Sequence, residues 1–175
     1  MRTIVQEGDP VLRKTAEAVP EKVFGSLELS QLVADMAEAL DAEPDGVALA
    51  APQVGVAWRL FIIRIDRTLP PPPEGMPPRD AKVEVYINPE IIRRSRKKQD
   101  TDEGCLSVRG MYGHTRRPER ATIRARREDG ERFERGAGDL LAQIFEHEVD
   151  HLNGVLFIDH ATDLFKIKRE TLDEA

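Results

Sequence analysis

The chain has 175 residues, 40% of them apolar and 33% charged, which suits one globular domain spanning residues 1–175 with a sizeable core. Its net charge of −6 excludes the global basic field of a nucleic-acid binder, and no apolar run reaches the length of a membrane span. A single cysteine, Cys105, excludes an intrachain disulfide. With no apolar or arginine-rich leader in MRTIVQEGDPVL, it points to a reducing, cytoplasmic compartment.

Asp9-Pro10-Val11-Leu12 reads as a capped helical turn with proline near its first position. Leu29, Leu32, Val33, Met36 and Leu40 recur at helical spacing and predict a first long helix over 26–42, stopped by Pro44-Asp45-Gly46. Residues 60–65 form a short apolar run, expected as a buried strand. Residues 69–80, LPPPPEGMPPRD, hold six prolines and one glycine; they cannot join a ladder and read as a stiff surface loop. A strand follows over 83–92, broken at Asn88-Pro89. Strands over 120–126 and 131–135 flank the hairpin signal Glu128-Asp129-Gly130. The arginines at 116–117 and 124–127 are interleaved with acids and read as solvated strand faces. A second long helix is expected over 138–152, ended by Asn153-Gly154. A short strand over 155–158 and a terminal helix over 165–172 complete the expectation. Lys166, Lys168 and Arg169 in the tail read as a solvated helix face in preference to a ribosome-docking patch.

The second helix carries His147-Glu148-Val149-Asp150-His151. Histidines four apart on a helix lie on one face, one turn apart, where both can bind a single ion. At 100° per residue, Leu140, Leu141, Ile144, His147, Glu148 and His151 share an arc of about 120°, so the polar groups lie on the apolar face. One such histidine reads as a hydrogen-bonded core residue. Two of them beside a glutamate, buried without a metal, would leave polar groups without partners. The pattern suits metal-assisted hydrolysis, in which an ion lowers the pKa of water and the carboxylate takes and redelivers the proton. A third ligand can come from downstream, at Asp159 or His160, or from Cys105 in Glu103-Gly104-Cys105-Leu106-Ser107. Cys105 alone reads as a small buried hydrophobe; joined to two imidazoles it completes a three-ligand site with an open position, the catalytic arrangement. Residues 46–53, GVALAAPQ, read either as a turn entering a packed strand or as a backbone edge for a peptide, with Gln53 as an amide donor to an oxyanion.

Taken together, GVALAAPQ at 46–53, EGCLS at 103–107 and HEVDHLNG at 147–154 resemble, in order, the three motifs of the peptide deformylases. The resemblance covers essentially the whole chain. It implies an α+β fold, with small antiparallel β-sheets surrounding a central metal-binding α-helix. It also implies removal of the N-formyl group from the formylmethionine of nascent polypeptides, with release of formate. Carried over by position, Cys105, His147 and His151 hold the metal, Glu148 is the general base and acid, and Gln53 with the Leu106 N–H stabilises the tetrahedral intermediate. Val47, Ala48 and Gly104 pair with the substrate backbone, and Ile144 lines the methionine pocket. Similar proteins use Fe²⁺ and accept Ni²⁺, Co²⁺ or Zn²⁺. The ribosome is an implied transient neighbour, and neither nucleic-acid nor membrane binding is expected.

The chain departs from the family's pattern at four places. Ala48 stands where glycine is usual, where an added methyl could narrow the channel or, at positive φ, cost stability. Glu146 stands for glutamine, which implies altered surroundings for the first histidine. Arg109 stands for proline, and the 69–80 loop is an insertion. Two other readings are a zincin-type peptidase with Cys105 merely buried, and a peptide-binding protein without turnover.

Overall fold

The computed structural model describes residues 2–167. Among the described residues, two α-helices, α1 (Leu27–Asp41) and α2 (Asp139–Leu152), accompany eight strands. The strands are β1 (Ala48–Ala50), β2 (Leu60–Arg64), β3 (Val83–Arg94), β4 (Lys98–Cys105), β5 (Val108–Pro118), β6 (Arg120–Arg126), β7 (Arg132–Gly138) and β8 (Thr162–Lys166). They form one antiparallel sheet in the order β1-β2-β3-β6-β7 and another in the order β4-β5-β8. This is the expected α+β arrangement, with α2 packed against strands of both sheets.

Local chemistry explains the boundaries. Ser26 Oγ accepts from the Leu29 N–H at 3.2 Å and starts α1, whose Leu29, Leu32, Val33, Met36 and Leu40 are buried. Asp9 caps the 3-10 turn Pro10–Arg13 by accepting from the Val11 N–H. All five residues of β2 are buried, as expected for a strand covered on both faces. The expected break at Asn88-Pro89 is instead a bulge within one long strand. Asn88 takes φ 49°, which asparagine tolerates, and its side chain exchanges hydrogen bonds with Val19 N–H and C=O at 2.7 and 3.1 Å. Proline beside it lacks the N–H that a ladder would need. The β6–β7 hairpin turns through Gly130 at φ 89°.

Three expectations are corrected. Residues 155–158 do not form a strand: a 3-10 turn, Phe157–Asp159, follows, with Asp159 Oδ2 accepting from the Leu156 N–H. The expected helix over 165–172 is, in its described part, strand β8, because the open edge of β5 takes it up through Met111–Lys166 and Tyr112–Phe165. Residues 168–172, with Lys168 and Arg169, lie outside the described residues. Arg117 is not on a solvated face: its side chain is 7% exposed and pairs with Glu103 and Asp150. Of the other four arginines, Arg116, Arg124 and Arg127 face solvent with acidic partners Asp100, Glu134 and Glu131, while Arg126 is half-buried, stacked on Phe24 and paired with Glu21.

The second helix is also more central than its apolar arc implies. Phe145, Val149 and Leu152, off that arc, are buried, whereas Leu140 is 43% exposed. Phe145, Val149 and Leu152 share a core cluster with Ile63, Tyr86 and Ile123 of the five-stranded sheet. The opposite face of α2, bearing His147, looks towards β4 and β5. Gly154, at φ 74°, ends the helix where any Cβ would stand 2.6 Å from the Arg13 carbonyl oxygen.

Candidate active site

The helix sets the first two ligands. His147 and His151 approach through the same ring nitrogen, Nε2 to Nε2 at 3.2 Å. Cys105 Sγ lies 3.3 Å from His151 Nε2, and the three ligand atoms fall within 4.8 Å of one another. Cys105 reaches this point because the β4–β5 register slips: Gly104 faces Tyr112, but Cys105 faces Val108, which folds the chain end towards α2. The Ser107 N–H at 3.4 Å and the Gln53 amide at 3.6 Å both donate to the sulfur.

Glu103, two residues earlier on β4, fixes the ring orientation. Its Oε1 lies 2.5 Å from His147 Nδ1. The carboxylate also accepts from Thr115 Oγ1 and, at 3.0 and 2.6 Å, from Arg117 Nε and Nη2. Burial pushes Glu103 up, but hydrogen bonds from His147 and Arg117 outweigh it and hold the carboxyl well below the usual range. An ionised Glu103 keeps the proton on His147 Nδ1 and turns the Nε2 lone pair to the ligand cluster. Burial, then the neighbouring His147, holds His151 neutral. At His147 burial acts downward, yet Cys105 and Glu103 prevail and raise it.

Thiolate sulfur and two imidazole lone pairs converging on one point are the donor set of a divalent transition ion. Beside them the Glu148 Oε2 is buried and has no protein partner among the described residues. A buried carboxylate oxygen in that state calls for water or a ligand. The residues therefore fit a metal with water next to it. Burial raises Glu148 to about 7, with Glu103 and Asp150 adding to the rise and His147 opposing it. That places the carboxyl where it can both take and return a proton near neutrality.

Gln53 is buried, 2% exposed, in the 3-10 turn Ala51–Val54 after β1. Its Oε1 accepts from the Ala50 N–H at 2.9 Å, which leaves Nε2 directed at Ser107 Oγ and Cys105. The amide is thus locked with its donor towards the centre.

Two sheet edges flank the site. Both β1 and β4 are edge strands of their sheets. The Arg64 N–H donates to Val47 O at 2.8 Å, so by antiparallel alternation the N–H and C=O of Ala48 turn away from β2 to the open edge. Ala50, on that same edge, already gives its N–H to Gln53. Between the edges lies a cavity of about 430 Å³, lined by Gly46, Val47, Ala48, Gln53, Gly104, Cys105, Leu106, Ile144, His147 and Glu148 among others. All ten residues singled out from the sequence meet here except His151, which closes the ligand cluster from beneath. A Cβ on Gly104 would stand 2.6 Å from the Tyr112 ring, so any larger residue there would have to displace it.

The downstream candidates do not join. Asp159 pairs with Arg13 at 2.6 Å, and His160 faces Asp150 at 3.5 Å. Ala48 takes no positive φ, and its side chain is buried at 8% exposure. Glu146 does not border the ligands: it is buried against Arg94, Oε1 to Nε at 2.7 Å. Arg109 crosses from the β5 start to Glu43 in a two-pronged ion pair at 2.6 and 3.0 Å. Sequence reasoning missed the roles of Glu103 and Arg117. The rule that a ligating histidine hands its second nitrogen to a carboxylate could have found the first.

Residues 1–166 match the protein family described as polypeptide deformylase. The chain belongs to the peptide deformylase family. It is 44% identical to the peptide deformylase of Acidobacterium capsulatum over 158 residues, covering 90% of this chain and 85% of that one. It is also 44% identical to that of Clostridium botulinum over 162 residues, covering 93% and 97%. Among solved structures, an actinonin-bound class I type b peptide deformylase from Acinetobacter baumannii superposes with a TM-score of 0.80 at 31% identity, covering 93% of this chain and 99% of that one. A plant peptide deformylase gives 0.79 at 38%, covering 93% and 81%. Peptide deformylases are metal-dependent hydrolases, and Cys105, His147 and His151 form a group in this chain that could hold a metal ion. Among the described residues no helix is long and apolar enough to cross a membrane.

Proposed function

We propose that this chain removes the N-formyl group from formylmethionine at the start of nascent polypeptides, with Cys105, His147 and His151 holding a divalent ion. The observation that carries the reading is the convergence of the three ligand atoms within 4.8 Å beside the unpartnered Glu148 oxygen. When bound, the ion supplies a Lewis acid and lowers the pKa of water, which leaves proton handling and charge placement to the protein. Fe²⁺ is the native ion in this reading, with Ni²⁺, Co²⁺ or Zn²⁺ as substitutes, since soft thiolate and imidazole suit all four.

Glu148 takes the proton of the attacking water on its free Oε2 and delivers it to the leaving amine. Gln53 Nε2, held by Ala50, and the Leu106 N–H place donors where negative charge grows on the formyl oxygen. The substrate enters as an extended segment between the β1 and β4 edges, pairing with Val47, Ala48 and Gly104. Ile144, at the cavity wall, meets the methionine side chain. The chain works as a single domain in the cytoplasm, close to the ribosome only in passing, and without direct nucleic-acid contact.

The test is metal content and formate release together. Protein prepared anaerobically should carry one iron per chain and release formate from formyl-Met-Ala-Ser. A zincin-type reading, with Cys105 uninvolved, requires the Cys105→Ala variant to keep its metal. A binding protein without turnover requires peptide binding by the metal-loaded chain with no formate.

A further inference from the structure

A cationic clamp sits immediately before the open edge of β1. Arg67 lies in the 3-10 turn Ile65–Thr68 that follows β2. Its Nη1 is within reach of three carbonyl oxygens, Leu40 at 3.3 Å, Glu43 at 3.1 Å and Gly46 at 2.7 Å, while Nη2 reaches Asp41 at 3.3 Å. Two hydrogens on Nη1 must serve three acceptors, and the shortest contact is to Gly46. The Leu40 and Glu43 carbonyls are the ordinary business of a helix C-terminus, where a cation satisfies orphan acceptors and complements the dipole. Gly46 belongs to no helix. It precedes Val47 and Ala48 and lines the cavity.

Arg67 is itself held. Asp41 also accepts from Arg64, and Arg64 is gripped by Asp66 through two 3.0 Å bonds. Asp66 in turn accepts from the Lys82 N–H at 3.0 Å, across the base of the proline-rich loop. On its other side Gly46 is packed tightly: a Cβ there would meet Leu40 at 2.8 Å and Leu106 at 3.2 Å. Residues 42–47 have no strand or helix of their own, so these contacts, with the Arg64 N–H to Val47 O bond and the Arg109–Glu43 ion pair, set where the β1 edge begins.

We propose that Arg67 is a positioning residue for the peptide substrate: through Gly46 O it holds the β1 edge at a fixed spacing from the β4 edge, so that the substrate backbone meets an already ordered strand. This rests on the reading of Ala48 as a substrate-pairing position. Ordering the edge in advance removes an entropic cost from binding and leaves the chemical step alone.

The test compares the nickel-loaded parent with Arg67→Met and Arg67→Lys. Steady-state kinetics are measured on formyl-Met-Ala-Ser and on formyl-Met, which has no downstream backbone. Calorimetry measures binding of the product peptide Met-Ala-Ser and of its analogue N-methylated at the alanine nitrogen. In Arg67→Met the KM for formyl-Met-Ala-Ser should rise by about tenfold with kcat within about twofold, the mark of lost uniform binding. KM for formyl-Met should stay within about twofold, Met-Ala-Ser should bind about tenfold more weakly, and lysine should recover part of both losses. Equal losses on both substrates, or a fall in kcat alone, would overturn the clamp and leave Arg67 as a helix cap. Unchanged Met-Ala-Ser binding in Arg67→Met would overturn it as well. If Arg67→Met does not fold, Arg67→Lys decides: a KM equal to the parent's overturns the proposal. A parent that binds both calorimetry peptides equally refutes the edge reading and the clamp with it. A parent that binds them unequally but releases no formate refutes the catalytic reading, and the binding arm still decides the clamp.

Discussion

Helix α2 and the β4–β5 hairpin meet at the metal-binding group, and they are built on opposite principles. The helix is locally encoded: apolar residues recur at its period, glycine follows its end, and the two histidines come from successive turns of one face. The hairpin is polar along much of its length, with Lys98, Asp100, Asp102 and His114 exposed, and it owes its place to partners elsewhere in the chain. The helix supplies ligands by periodicity, whereas the hairpin supplies Cys105 and Glu103 by a register slip and a buried ion-pair network. The lesson is that the helix places both histidine side chains by its own period, whereas Cys105 and the carboxylate that orients His147 depend on a chain of polar contacts reaching Arg117 and Asp150.

The sharpest way to break this comparison is at the strand ligand. Cys105→Ala should lose the metal after dialysis against a chelator and bring formate release to background, whereas retained metal would mean that the helix suffices alone. Next in size, Arg117→Met strands the buried Glu103 charge and should destabilise folding by about 3–5 kcal/mol, read from urea unfolding of the metal-free chain. A loss under about 1 kcal/mol would show that the network is not what holds the hairpin. Glu103→Gln keeps the shape but removes the acceptor for His147 Nδ1 and should weaken metal binding by about 10–100-fold in a competition titration. Smallest is the helix side. Arg59 donates to Leu152 O at 3.2 Å and Asn153 Oδ1 at 3.0 Å, capping α2 just past His151. Arg59→Ala should cost about 1 kcal/mol and lower Tm by about 2–4 °C, with metal affinity unchanged. A large loss of metal there would erase the contrast between the two regions.

The same contrast explains what was legible. Residues 26–42 and 138–152 were readable as helices because apolar spacing and terminal residues agree, and the run at 60–65 was readable because its first four residues, Leu60 to Ile63, are all apolar. The motif residues other than His151 come together at one cavity, including Gln53, whose burial its own chemistry does not announce. The hairpin 98–118 was not readable, since its polar residues face solvent on one side and pair internally on the other, leaving no clean alternation. Strand β8 was misread for a related reason: a segment with Lys166 beside Phe165 has no strong preference, and the unpaired β5 edge decided it. Arg117 looked like part of a wet arginine pair, and only the fold brings Glu103 and Asp150 to it.

The most direct test of the central claim is formate release by the iron- or nickel-loaded chain beside its Glu148→Ala variant, with metal content measured in both. The account predicts formate from formyl-Met-Ala-Ser in the parent, and near-total loss in the variant with the metal still in place. Substantial turnover in a fully metallated Glu148→Ala chain would contradict it, because the proton would then be moving through some other group.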